Sequence, residues 1–168
     1  MAKQISPEYR KKFLIVQSAV TFISVINGTG FNVTIPAIAD DFGLAPSEVS
    51  WVVSAYIIIF ALASVAYGKL ADVYPVKDLI TIGLILFCAG SVMSLFSFQY
   101  VLLIVGRMIQ ASGAAAIPAL EMLAATRYFP KEQKGRVLGL VASVVSFGSG
   151  IGPVVGGLIA GALNWRFI

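Results

Sequence analysis

The stretch Gly148-Ser149-Gly150-Ile151-Gly152-Pro153-Val154-Val155-Gly156-Gly157 decides the fold, because it lies inside an apolar run from about Val137 to Leu163. In water such a stretch breaks a helix, since an interior Gly costs roughly 1 kcal/mol and Pro roughly 3 relative to Ala. In hydrocarbon the balance reverses. The backbone has no water to bond, so it stays helical, and glycines persist as flat surfaces on which neighbouring helices close. Gly148, Gly152 and Gly156 recur every four residues and share one face. Pro153 removes an amide donor beside that face and bends the helix. The stretch predicts a kinked membrane span packed tightly against partner helices.

The remainder of the chain fits a membrane protein. Of its 168 residues 58% are hydrophobic and only 12% charged, with a mean hydropathy of +0.91; soluble domains carry about 25% charged residues. Apolar runs cover about 13–39, 48–70, 79–98, 101–126 and 137–163. Each can cross a core about 30 Å thick, for which roughly 20 helical residues suffice. The first run is too long for a cleavable signal, and no small-x-small site precedes a polar mature region, so we expect a retained first span. The expected architecture is an all-α membrane protein: residues 1–12 form a short basic head, and 13–168 form a bundle of about five spans. Cys88, the lone cysteine, excludes an intrachain disulfide and reads as a small buried apolar residue. No histidine occurs, and no Cys or carboxylate cluster has ligand spacing, so neither metal nor cofactor is expected. No nucleophile and base stand at a recognisable spacing, which argues against an enzyme.

The net charge of +4 is placed asymmetrically. If the spans alternate, Lys3, Arg10, Lys11, Lys12, Lys69, Lys77, Arg127, Lys131, Lys134 and Arg136 fall on one side, and only Arg166 on the other. This positive-inside pattern puts the N-terminus in the cytoplasm and, after five spans, the C-terminus outside. With no aromatic interleaving, the basic residues do not describe a nucleic-acid surface; the head can lie against anionic lipid headgroups.

Polar residues inside the spans mark candidate sites. The first span carries Asn27, Gly28, Gly30 and Asn32 in its outer half and Pro36 near its end. Such residues in hydrocarbon face protein or water, so Asn27 and Asn32 either bond neighbouring helices or touch substrate or a cation. Ser47, after Pro46, is the expected N-cap of the second span. The third span is uniform apart from Gly83, Gly90 and Ser91, and is expected to face lipid. A short turn, Ser97 to Tyr100, makes the third and fourth spans antiparallel neighbours. In the fourth, Arg107, Gln110, Ala114, Pro118 and Glu121 share one helical face. A charge at mid-bilayer costs roughly 2.5 to 3.5 kcal/mol on insertion scales. A rise of 1.5 Å per residue separates Arg107 from Glu121 by roughly 21 Å, so each needs its own partner. Glu121 either reaches toward the cytoplasmic interface or binds a cation or proton. Trp165 reads as an interfacial anchor.

Four stretches resemble one family in its order and spacing: Asn32 to Pro36, Gly68-Lys69-Leu70-Ala71-Asp72-Val73-Tyr74-Pro75-Val76-Lys77, the fourth-span pattern Arg107-x-x-Gln110-Ala111-x-Gly113-Ala114-Ala115, and the Gly148 to Gly157 stretch, and the loop Pro130-Lys131-Glu132-x-x-Gly135-Arg136 resembles it too. They are similar to motifs of the major facilitator superfamily, most of all its tetracycline and multidrug proton antiporters with fourteen spans. Val73, Pro75 and Val76 stand where that family usually has Arg, Gly and Arg, and Ala111 replaces a glycine. The resemblance implies proton-driven export of drugs, with Arg107 and Gln110 near the proton-coupling path. It implies that Gly68, Asp72 and Lys77 help hold one closed conformation. It makes a hinge of Gly148, Gly152, Pro153, Gly156 and Gly157.

Five spans amount to most of one six-helix bundle. Transporters of this kind hold substrate between two bundles that rock against each other. A second copy or a complementary bundle is therefore expected as partner, alongside lipid, drug and protons. The alternative expectation is a noncatalytic scaffold or truncated, non-transporting fragment.

Overall fold

The computed structural model describes residues 7–168; Lys3 and the rest of the first half of the basic head lie outside the described residues. Seven α-helices follow in order: α1 (Pro7–Phe31), α2 (Ile35–Phe42), α3 (Pro46–Leu70), α4 (Val76–Leu95), α5 (Tyr100–Ala114), α6 (Ala116–Tyr128) and α7 (Lys131–Ala162). Short 3-10 turns occupy Asn32–Thr34 and Trp165–Phe167, and no strand occurs among the described residues. Grouped by continuity, the helices give five apolar segments long enough to cross a membrane: Arg10–Phe42, Pro46–Leu70, Val76–Leu95, Tyr100–Tyr128 and Lys131–Ala162.

Two of these segments are interrupted, each just before a proline. Pro36 offers no N–H to the carbonyl of Asn32, and the chain tightens to a 3-10 turn there. Thr34 Oγ1 bonds the Phe31 carbonyl at 2.7 Å. Pro118 likewise offers no N–H to Ala114, and α5 gives way to α6 at Ala115. Pro153 behaves differently. Helix α7 runs through it without interruption, the proline on the exposed side and Gly148, Gly152 and Gly156 on the buried side.

Those three glycines close on α1. A methyl at Gly156 would collide with the backbone of Gly30, and one at Gly152 with Thr29 Oγ1. At Gly148 it would lie 3.1 Å from Val25. Gly157 stands apart, its nearest neighbour being Val33 at 3.9 Å from the added carbon.

A second glycine seam corrects the reading of the third span. Helix α4 does not simply face lipid: a methyl at Gly90 would strike the backbone of Gln110 and Gly106 on α5, and one at Gly83 would strike the Ala116 side chain at the start of α6, with the Gly113 carbonyl close by. Gly83 and Gly90, like Gly106 and Gly113, are seven residues apart, and two antiparallel helices bring the pairs together. The opposite face of α4, with Ile82, Ile85 and Val92, is exposed. Cys88 is on that face and is exposed, not buried; the seam takes the buried positions, leaving position 88 outward.

Two apolar clusters complete the packing. Near the basic loops, Tyr67, Ala71, Val76 and Leu79 pack with Ala115, Leu120 and Ala124. At the other end, Phe31, Ile38, Val49, Val52 and Leu103 surround Trp165. Trp165 is only 4% exposed, so it is a core residue of this bundle and not an interfacial anchor. Its Nε1 donates to Asp41 Oδ2 at 3.2 Å, and Arg166 pairs with the same carboxylate at 2.6 Å. Ser47 is not the N-cap of α3 either. The helix starts two residues earlier, with Ala45 as cap and Pro46 at its first position. Glu48 Oε2 accepts the Ala45 amide at 2.8 Å, the glutamate half of a capping box, while the Glu48 amide that a capping serine would take donates to the Ala45 carbonyl at 2.9 Å.

Candidate functional site

The close approach of α4 to α5 has a chemical result. It brings Ser91 within reach of Gln110, whose Nε2 donates to Ser91 Oγ at 2.7 Å. One turn earlier on α5, Arg107 is 2% exposed. Its Nη1 donates to Gln110 Oε1 and to Asn27 Oδ1 at 3.2 Å. The guanidinium carbon lies 3.8 Å from the centroid of the Phe31 ring and 4.3 Å from that of Tyr56. Four helices thus hold one cation: α1 by Asn27 and Phe31, α3 by Tyr56, α4 through Ser91 and α5 itself. Ring faces stabilise a desolvated cation by about 2 kcal/mol each at best. Among the described residues no carboxylate pairs with Arg107, and its Nε has no hydrogen-bond partner. The charge is solvated by dipoles and rings, and is not neutralised.

The second charged site lies farther along the same pair of helices. Glu121 on α6 is 1% exposed. It does not reach an interface, because its side chain turns to α1. Thr21 Oγ1 donates to its Oε2, and Ser18 Oγ lies 3.5 Å from its Oε1. Gln17 Nε2 donates to the Ile117 carbonyl one turn away. Arg107 and Glu121 therefore have separate partners, and α1 contributes to both. Arg107 and Gln110 line a cavity of about 200 Å³ with Phe31, Ser91 and Trp165, and a separate, largely apolar cavity of about 220 Å³ is lined by Tyr56 and Thr21, the partners of Arg107 and Glu121, with Gly28, Phe60, Pro118 and Val145.

Sequence reasoning singled out Asn27, Arg107, Gln110 and Glu121, and did not single out Phe31, Tyr56, Ser91, Ser18 or Thr21. For α1 a signal exists. Gln17, Thr21 and Ser24 are all buried and recur at i, i+4 and i+7, a polar stripe inside an apolar helix. For Phe31 and Tyr56 there is none, since an aromatic ring in an apolar run is unremarked.

The other candidates lie elsewhere. Asn32 is exposed on its 3-10 turn and joins neither charged site. At the basic end, Arg127 Nη2 pairs with Asp72 Oδ1 at 2.8 Å and its Nη1 donates to the Ala71 carbonyl at 2.7 Å. Lys77 is exposed beside this loop and lines a groove between α1 and α4 with Lys12. Gly68 does not admit a close neighbour: a side chain there would meet open space within 4 Å, because it is on the outward side of α3.

The fold and its sites define a multi-pass membrane protein with two ionisable side chains sequestered inside one helical bundle. The chain belongs to the Major Facilitator Superfamily, which it matches over residues 18–168. The members of that superfamily are transporters, not enzymes. It is 34% identical over 155 residues to the riboflavin transporter RibZ of Clostridioides difficile strain 630, covering 92% of this chain and 34% of the relative. It is 33% identical over 156 residues to the methylenomycin A resistance protein of Bacillus subtilis strain 168, with the same coverage of each chain. An efflux pump, dotC of Dothistroma septosporum, is 29% identical over 154 residues, which cover 92% of this chain and 26% of that one. The chain thus spans about a third or less of the length of these relatives. Its fold is also that of a bacterial homolog to the human lysosomal transporter Spinster, in an inward-facing and occupied conformation. The TM-score is 0.80 at 21% identity, over 97% of this chain and 35% of the other.

Proposed function

We propose that this chain forms the first bundle of a proton-coupled exporter of small organic molecules, of the tetracycline or multidrug type with fourteen spans, active when completed by a second bundle. The observation that carries the reading is Arg107: a buried guanidinium that four helices orient and no carboxylate neutralises. A purely structural cation in hydrocarbon is ordinarily paired with a counter-ion or with backbone carbonyls, and Arg107 has neither among its hydrogen-bond partners. One held by neutral dipoles and rings is available to bias protonation of a neighbouring group or to meet an anionic part of a substrate. Gln110 and Asn27 orient it. Glu121, held by hydroxyls alone, is the complementary acid, able to take up and release a proton without breaking an ion pair. Its separation from Arg107 keeps the two from neutralising each other.

In this reading Asn27 and Glu121, and Asn32 from its exposed turn, contact substrate or cation. The Asp72 and Arg127 pair, with Gly68 and Lys77 around it, stabilises one conformation. The glycine face of α7 with Pro153 acts as hinge, and the basic loops face the cytoplasm. The two-bundle requirement follows from alternating access, which needs two bodies rocking about one site.

The experiment is efflux of a fluorescent tetracycline or ethidium from energised cells that lack their own exporters and express the chain together with a complementary second bundle. The reading predicts efflux that a protonophore abolishes, that Arg107→Ala lowers at least about tenfold, and that Glu121→Gln uncouples from the proton gradient. Absence of efflux with the unmodified protein supports the alternative, a noncatalytic or non-transporting bundle.

A further inference from the structure

Two buried polar side-chain atoms have no hydrogen-bond partner among the described residues, Arg107 Nε and Ser94 Oγ, and both residues line the same cavity of about 200 Å³. Ser50, Ser54, Ser64 and Ser91 each donate to the carbonyl four residues back on their own helix. Ser94 does not, and its hydroxyl stands over Gly106 of α5, where a methyl would lie 2.7 Å from it. In Arg107 the bonds to Asn27 and Gln110 both leave from Nη1, and the rings of Phe31 and Tyr56 lie against the guanidinium, so the Nε edge is unspent. Water at about 30 Å³ a molecule would fit the cavity, but it brings no charge. No acidic residue lines the cavity among the described residues. The other cation on its wall, Arg166, is already paired with Asp41, and Ile168 presents its backbone oxygen to Asn27. Leu95, Leu103, Trp165 and Phe167 make the remaining wall apolar.

We infer that this cavity binds a small monocarboxylate with an apolar body, the carboxylate between the Nε edge of Arg107 and the Ser94 hydroxyl and the body against Leu103 and Trp165. One edge of a guanidinium offers two parallel N–H donors, the arrangement a carboxylate accepts. A halide would leave the apolar wall empty, and a neutral molecule would leave the arginine uncompensated. The inference rests on the reading of Arg107 as an available cation, and not on export; it names the class of anion that the cation meets.

The test is a fluorescence titration of the purified Trp51→Phe protein in chloride-free detergent buffer. Trp51 is 66% exposed, and its replacement leaves Trp165, on the cavity wall, as the remaining tryptophan. Cyclohexanecarboxylate, its neutral analogue cyclohexanecarboxamide, and chloride are added in turn. The expected result is a saturable change in Trp165 emission with the carboxylate, binding at least about tenfold weaker with the amide, and no saturable change with chloride. Ser94→Ala weakens carboxylate binding at least about fivefold and Arg107→Gln at least about tenfold, while Ser143→Ala, on an exposed position of α7, leaves it unchanged. Ser94 Oγ has no partner to lose, so Ser94→Ala tests the site even where Arg107→Gln disturbs the fold, which circular dichroism checks. Equal binding of carboxylate and amide overturns the inference and leaves an apolar crevice. Displacement of the carboxylate by chloride overturns it as a plain anion site, and no saturable response to any of the three overturns it in favour of water alone. The titration needs no proton gradient: absent binding with protonophore-sensitive efflux intact defeats this inference alone, and binding without efflux defeats only the proposed export.

Discussion

Arg107 and Glu121 are set in opposite ways, and substitution separates them. Arg107 depends on shape: a planar guanidinium between two rings, with a fork of donors toward Asn27 and Gln110. Lysine keeps the charge but neither stacks nor forks. Arg107→Lys is therefore expected to behave almost as Arg107→Ala does, with efflux reduced at least about tenfold in the cell assay and helical content unchanged. Glu121 depends on acceptors. Glu121→Gln keeps an acceptor for Thr21 and removes a buried charge, so its thermal stability in detergent should equal or exceed that of the unmodified protein. Glu121→Ala leaves the Thr21 and Ser18 hydroxyls without their acceptor and should cost about 1 to 3 kcal/mol in the same measurement. At this scale the charges were legible because Arg and Glu are conspicuous in an apolar run. Their partners were not, since neither Phe31 nor Tyr56 differs in the sequence from a ring facing lipid, and which helix faces which is a tertiary fact.

Between helices, glycine geometry sets the distances. Gly152→Ala places a methyl against Thr29 Oγ1, an overpacking expected to cost about 1 to 3 kcal/mol. Thr29→Ala in the same chain should restore most of the loss, because it removes the atom in conflict. Gly68→Ala, with open space around it, should leave the melting temperature unchanged. The Asp72 and Arg127 pair is exposed, and Asp72→Asn should alter stability by no more than about 1 kcal/mol; a larger effect on efflux than on stability is the signature of a conformational role. The α7 seam was readable because its glycines recur every four residues. The seam between α4 and α5 was not read, because its glycines are seven apart in each helix, in α4 with only apolar residues between them and in α5 on either side of the more conspicuous Arg107 and Gln110. Prolines show the same limit. Pro36 and Pro118 interrupt their helices and Pro153 does not, although each removes the same donor. Sequence marks the missing hydrogen bond but not whether neighbours absorb it.

For the whole molecule, the apolar runs fixed the number of spans because length against bilayer thickness is a single-sequence property. Trp165 and Cys88 were placed wrongly for a common reason: inside and outside of a membrane bundle have nearly the same polarity, so hydropathy does not say which apolar residue is core. Topology is open to a direct check. In a Cys88→Ser background, Lys131→Cys should react with a charged maleimide only from the cytoplasmic side and Gly43→Cys only from the outside. Unmodified Cys88, on the exposed face of α4, should be protected from the same reagent by surrounding lipid until the protein is denatured. The central claim, that a buried arginine without a counter-ion couples protons to export, is tested most directly by tetracycline efflux from energised cells expressing the unmodified protein or Arg107→Ala, each with and without protonophore. The account predicts protonophore-sensitive efflux that falls at least about tenfold with Arg107→Ala. Efflux by Arg107→Ala equal to that of the unmodified protein, or efflux indifferent to the proton gradient, would contradict it.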